Sequence, residues 1–144
     1  MQIADRSVSA LWLLIVVLAV AILVASVVPV PAATPQTDPT GSVDTTTLLH
    51  IVGYATLTAG GVIAVAREGW PGRRQQRHGV GSVGTVAVII ALVALFGVGT
   101  ELLQATIPWR TFAVTEIGLN AASAAGGGLL ATMWFYRPVE KGWQ

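Results

Sequence analysis

Seven polar residues stand where this chain otherwise avoids polarity, and their types are those that hold ligands or move protons. Glu101 and Gln104 close one apolar run, Glu116 and Asn120 open the next, and Arg110 lies between them in Ile107-Pro108-Trp109-Arg110. His50 and Tyr54 open an earlier run. The pairs are spaced i,i+4 (His50/Tyr54), i,i+3 (Glu101/Gln104) and i,i+4 (Glu116/Asn120), so each pair shares one helical face. Two carboxylates in one pocket have their proton affinities driven apart, an arrangement that suits acid and base roles. An arginine fork grips phosphate or carboxylate. Ionisable groups at membrane-like depth are the first place to look for function.

The elements that must position these residues are apolar helices. Of 144 residues 53% are hydrophobic and only 10% charged, with a mean hydropathy of +0.70. Soluble domains carry roughly 25% charged residues, so lipid is the expected solvent. The net charge of +1 argues against a nucleic-acid partner, and the absence of cysteine removes disulfides, thiolate metal sites and cysteine nucleophiles.

Residues 9–28 form an apolar run long enough to cross a hydrocarbon core of about 30 Å, with serines at its ends as its polar positions. A secretory leader is the rival reading, but its apolar region is normally roughly 7 to 15 residues, so a retained first span (1–28) is preferred. The proline-rich segment 29–45 reads as a solvated outer linker. Further spans are expected over residues 46–66, 80–104 and 112–136, which together make a 46–136 core, followed by a tail at 137–144. In the last span Gly118, Ala122 and Gly126 recur every four residues and predict a face for close helix packing.

The segment Arg67 to His78 holds four arginines. With four spans, that segment and both ends of the chain fall on one side with Arg6, Arg67, Arg73, Arg74, Arg77, Arg137 and Lys141, against Arg110 alone on the other. The positive-inside rule then places both termini in the cytoplasm. The expected fold is therefore all-α, a multi-pass cell-membrane protein built as a four-transmembrane-helix bundle. All seven polar residues would gather at its outer end, in one pocket opening outward beneath Ile107 to Phe112.

The residues now in place resemble the VanZ-like family of membrane proteins, named for a glycopeptide-resistance accessory protein. The resemblance rests on H-x-x-x-Y at His50 and Tyr54, E-x-x-Q at Glu101 and Gln104, I-P-W-R-T-F with Arg110, and Glu116 followed by Asn120 and a run of small residues. It covers roughly residues 44–128. The family usually carries an Asp-Lys pair just before the histidine, where this chain has Thr46 and Thr47, and aspartate where it has Glu116. The missing lysine removes an outer cation that could hold an anion. What the resemblance implies is a polytopic cell-envelope protein linked to antibiotic resistance, without an assigned molecular activity.

Three readings stay open. The pocket binds an envelope lipid or glycan headgroup, with Arg110 on a phosphate or carboxylate and Trp109 and Tyr54 stacking or hydrogen-bonding. Alternatively it is an outer-leaflet hydrolase or transferase, with Glu101 or Glu116 as general acid or base and His50 as partner. In the third, Arg110 pairs with Glu101 and Glu116 only to seal the helix ends. Membrane lipids are the expected surroundings and no cofactor is expected. A metal on His50, Glu101 and Glu116 is a weak expectation, because one histidine without H-E-x-x-H spacing is a poor zinc signal.

Overall fold

The computed structural model describes residues 10–29, 45–68, 83–110 and 112–135. The arginine-rich segment beyond Glu68, most of the proline-rich linker, and the tail lie outside the described residues. All described secondary structure is helical: α1 (Ala10–Val27), α2 (Thr45–Glu68), α3 (Val83–Gln104) and α4 (Val114–Phe135). The helix bounds fall within about three residues of those read from the apolar runs. Three of the four, α1, α2 and α3, are long and apolar enough to cross a membrane by length and composition. At 1.5 Å per residue the four helices measure roughly 27 to 36 Å, close to the thickness of a hydrocarbon core.

The helices alternate in direction, because the same ends meet. At one end α1 brings Ser26, α2 His50, α3 Glu101 and Gln104, and α4 Glu116 and Asn120. At the other, Val62 and Val65 of α2 pack with Val86 and Ile89 of α3 and Ala131 of α4, with Trp12 of α1 against them. A middle layer of Tyr54, Leu57, Val93 and Ala124 joins the two ends, backed by Ile15, Ile22 and Phe96. Helices α2 and α3 each touch all three others, while α1 and α4 lie on opposite sides of them.

Helix α1 is apolar all round and buries one residue, Ser26. Leu13, Leu14, Val16, Val17, Val20 and Val24 are all exposed. A helix hydrophobic on every side needs an apolar environment beyond the few neighbours this fold supplies.

Helices α2 and α4 make the most extensive contact, and glycine permits it. A Cβ built on Gly127 would lie 2.7 Å from both the Cα and the carbonyl carbon of Ala55, so the two backbones meet directly there. Gly128 is almost as tight, with Ile90 Cδ1 2.9 Å from an added Cβ. The packing stripe is thus Asn120, Ala124, Gly127 and Ala131. This corrects the expected stripe: Gly118 and Ala122 are exposed, and among the described residues nothing lies within 4 Å of a Cβ added at Gly118 or Gly126. Steps of four residues advance about 400° on a helix of 3.6 residues per turn, so a strict four-residue repeat rotates away from its partner.

Candidate functional site

Helix α2 begins with His50 one turn before Tyr54, and both side chains are buried, 6% and 0% exposed. Their rings meet edge to face with centroids 5.9 Å apart. The Tyr54 hydroxyl is 2.6 Å from Thr100 Oγ1 of α3, and Thr100 donates in turn to the Gly97 carbonyl at 2.8 Å, which leaves Tyr54 as the donor of their shared bond. Gly97 makes the room: a Cβ there would stand 3.1 Å from Asn120 Cβ and 3.4 Å from Tyr54 Cε1.

Helix α3 ends with Glu101 fully buried and Gln104 nearly so. Tightened turns then stop it: the Thr106 amide donates to Leu103 O, the Ile107 amide to Gln104 O and the Arg110 amide to Ile107 O. Pro108 has no amide to extend the ladder. Helix α4 opens with Glu116 in its first turn, where an acid suits the positive end of the helix dipole. One turn later Asn120 is buried beside Glu101.

Three helices thereby deliver one acid-histidine centre. His50 Nδ1 lies 3.5 Å from Glu116 Oε2, and Asn120 Nδ2 lies 3.5 Å from Glu101 Oε1. A ligand-capable atom from each of His50, Glu101 and Glu116 falls within 4.8 Å of the others. Glu116, with 27% of its side chain exposed, is the most open member and sets the accessible edge. Two ionised carboxylates at that separation repel by roughly 3 to 4 kcal/mol at an effective dielectric of 20, so the pair needs a proton or a cation close by.

Gln104 and Arg110 go elsewhere. Gln104 Nε2 donates to Ser26 O at 3.0 Å, and Arg110 Nη2 donates to Ala25 O and Val28 O at 2.8 Å each. Trp109 adds its indole N–H to Val27 O at 3.2 Å. The four carbonyls are those a helix leaves without internal partners at its C-terminus. Among the described residues no ion pair joins Arg110 to Glu101 or Glu116. The seven sequence candidates therefore divide into a centre of His50, Tyr54, Glu101, Glu116 and Asn120 and a clamp of Gln104 and Arg110 on α1.

Ser26 and Thr100 were not singled out from the sequence. A signal existed for both. Ser26 is the polar residue nearest the C-terminal end of an apolar run, and Thr100 continues the buried positions Val93 and Gly97 at helical spacing. Below Tyr54 runs an apolar groove of about 210 Å³ between α1, α2 and α3, lined by Trp12, Ile15, Leu57, Gly61, Ile89 and Phe96 among others. Phe96 ties the groove to the centre, its ring 6.1 Å from that of Tyr54.

Against known proteins, no family model, no curated protein and no solved structure matches this chain.

Proposed function

We propose that this chain is an integral membrane protein of the VanZ-like type. It crosses the cell membrane four times with both termini cytoplasmic, and its outer-end centre binds an envelope lipid or glycan headgroup, in an accessory role to antibiotic resistance. The observation that carries this reading is the convergence of His50, Glu101, Glu116 and Asn120 from three helices, in a chain with 10% charged residues. Holding a fully buried carboxylate beside a second, half-buried one costs free energy, and a scaffold alone has no need of the pair.

The arrangement also refines the expected chemistry. With Arg110 bonded to α1, the centre offers acceptors, so it suits a headgroup rich in hydroxyl or ammonium donors better than a bare phosphate. The apolar groove beneath Tyr54 supports a lipid-linked ligand, since a chain laid along Leu57 and Ile89 would bring its head toward the centre. Helix α4, not among the three helices that qualify by length and composition, fits a spanning role because its polar Asn120 and its Gly127 and Gly128 face α2 and α3.

The test is to purify the full chain in mild detergent from its own membranes and identify co-purifying lipids by mass spectrometry. A defined lipid or glycolipid should accompany wild-type protein and be lost from Glu101→Gln, with helix content unchanged. Equal recovery from both would overturn the reading.

One observation favours a second reading. The 3.5 Å separation of His50 and Glu116 is near the geometry in which a carboxylate orients an imidazole base, which suits an outer-leaflet hydrolase or transferase. New lipid masses after incubation with wild-type protein, absent with His50→Ala, would favour that enzyme over a binder.

A further inference from the structure

The geometry points to a divalent-cation site at the outer end of the fold, with His50, Glu101 and Glu116 as ligands and Asn120 as an additional oxygen donor. The inference concerns the same residues as the proposed headgroup site, and with the ion bound a headgroup would meet the centre through hydroxyl oxygens rather than through ammonium.

Three observations carry it. One imidazole and two carboxylates from three separate helices bring their ligand atoms within 4.8 Å of one another. Tetrahedral bonds of roughly 2.0 Å need ligand atoms roughly 3.3 Å apart, so the His50 to Glu116 separation of 3.5 Å already fits, and the 4.8 Å spread of all three must contract for Glu101 to join them. Independently, Glu101 is 0% exposed and its buried Oε2 makes no well-formed hydrogen bond among the described residues, with the Ala113 backbone and the Glu116 carboxyl as its polar neighbours. Asn120 Oδ1 is likewise buried and unpartnered, on an amide whose other end faces Glu101. A half-turn of that amide sets its oxygen against the carboxylate, an orientation that becomes favourable with a cation between them.

The donor set selects the class of ion. An imidazole nitrogen beside carboxylate and amide oxygens suits a first-row divalent ion such as zinc or manganese, whereas all-oxygen cages suit calcium and magnesium. With both carboxylates ionised the centre carries surplus negative charge, which a dication offsets in place of a shared proton. The absence of an H-E-x-x-H run is no obstacle, because the ligands come from three helices and their proximity is tertiary.

The test uses the full chain in detergent, stripped with chelator and titrated with zinc or manganese by calorimetry and elemental analysis. Wild-type protein should take up about one ion per chain with a rise in melting temperature, and magnesium at equal concentration should not compete. His50→Ala and Glu101→Gln should each weaken binding by about 100-fold or more, while Thr106→Ala, outside the centre, should not change it. Asn120→Asp guards against a folding artefact: its third carboxylate should lower the melting temperature without metal, and zinc should restore it. Failure of wild-type protein to bind either metal in stoichiometric amount, or failure of zinc to rescue Asn120→Asp, would overturn the assignment.

Discussion

Arg110 lies against the last turn of α1, its Nη2 donating to the Val28 carbonyl at 2.8 Å and to the Ala25 carbonyl at the same distance. Its charge therefore answers a helix C-terminus, where aligned peptide dipoles leave partial negative charge. A helix leaves its last carbonyls without internal partners, so this clamp satisfies the end of α1.

Removing that clamp should loosen α1 without dismantling the acid-histidine centre. Arg110→Ala is expected to destabilise the fold by about 2 kcal/mol, the scale for hydrogen bonds to a charged group, and Trp109→Phe by about 1 kcal/mol. Arg110→Lys should recover part of the loss, because an ammonium satisfies fewer acceptors at once. Thermal melting in detergent measures all three. An Arg110→Ala protein as stable as wild type would mean that α1 is held by its apolar contacts alone.

The residues of this corner show what a sequence can and cannot disclose. The apolar run lengths placed all four helices, because the number of residues needed to span a fixed thickness is a local property. The i,i+4 spacing of His50 with Tyr54, and of Glu116 with Asn120, placed each pair on one face for the same reason. The destination of Arg110 was not legible. Glu101 and Glu116 were the nearest countercharges in sequence, yet backbone carbonyls 82 and 85 residues away won, and carbonyls leave no mark in a sequence. The packing face of α4 was hidden likewise, since glycines at 118, 126, 127 and 128 look alike until α2 selects Gly127.

Gly127 and Gly118 give that selection a direct measurement. Alanine has the higher helix propensity by about 1 kcal/mol, so Gly118→Ala, in open space, should leave stability unchanged or raise it by up to that amount. Gly127→Ala drives a methyl group into the Ala55 backbone and should cost about 1 to 3 kcal/mol or more as α2 and α4 separate. Opposite signs in the two melting curves are the expected result; equal behaviour would mean that the α2/α4 contact is looser than described.

Tyr54 separates hydrogen bonding from filling space. Its hydroxyl serves Thr100, which keeps the Gly97 carbonyl when the tyrosine oxygen is gone, so Tyr54→Phe should cost only about 1 kcal/mol. Tyr54→Ala removes a fully buried ring beside Leu57, Val93 and Phe96 and should cost about 3 to 5 kcal/mol. If the phenylalanine variant retains the co-purified lipid, the hydroxyl belongs to the helix contact; if the lipid is lost, Tyr54 touches the ligand.

The orientation of the whole can be read because the chain contains no cysteine. A single cysteine at Ser42, in the proline-rich linker, should react in intact cells with a maleimide that cannot cross membranes. One at Gln75, among the arginines, should react only after the cells are opened. The seven basic residues assigned to the inner side, against Arg110 alone, set this expectation. The reverse pattern would place the acid-histidine centre at the cytoplasmic face, where an envelope ligand could not reach Glu116, and the headgroup proposal would fall while the cation site would stand. Labelling at both positions from outside would instead mean no crossing, or an even number, between them, and would remove α2 from the set of spanning helices.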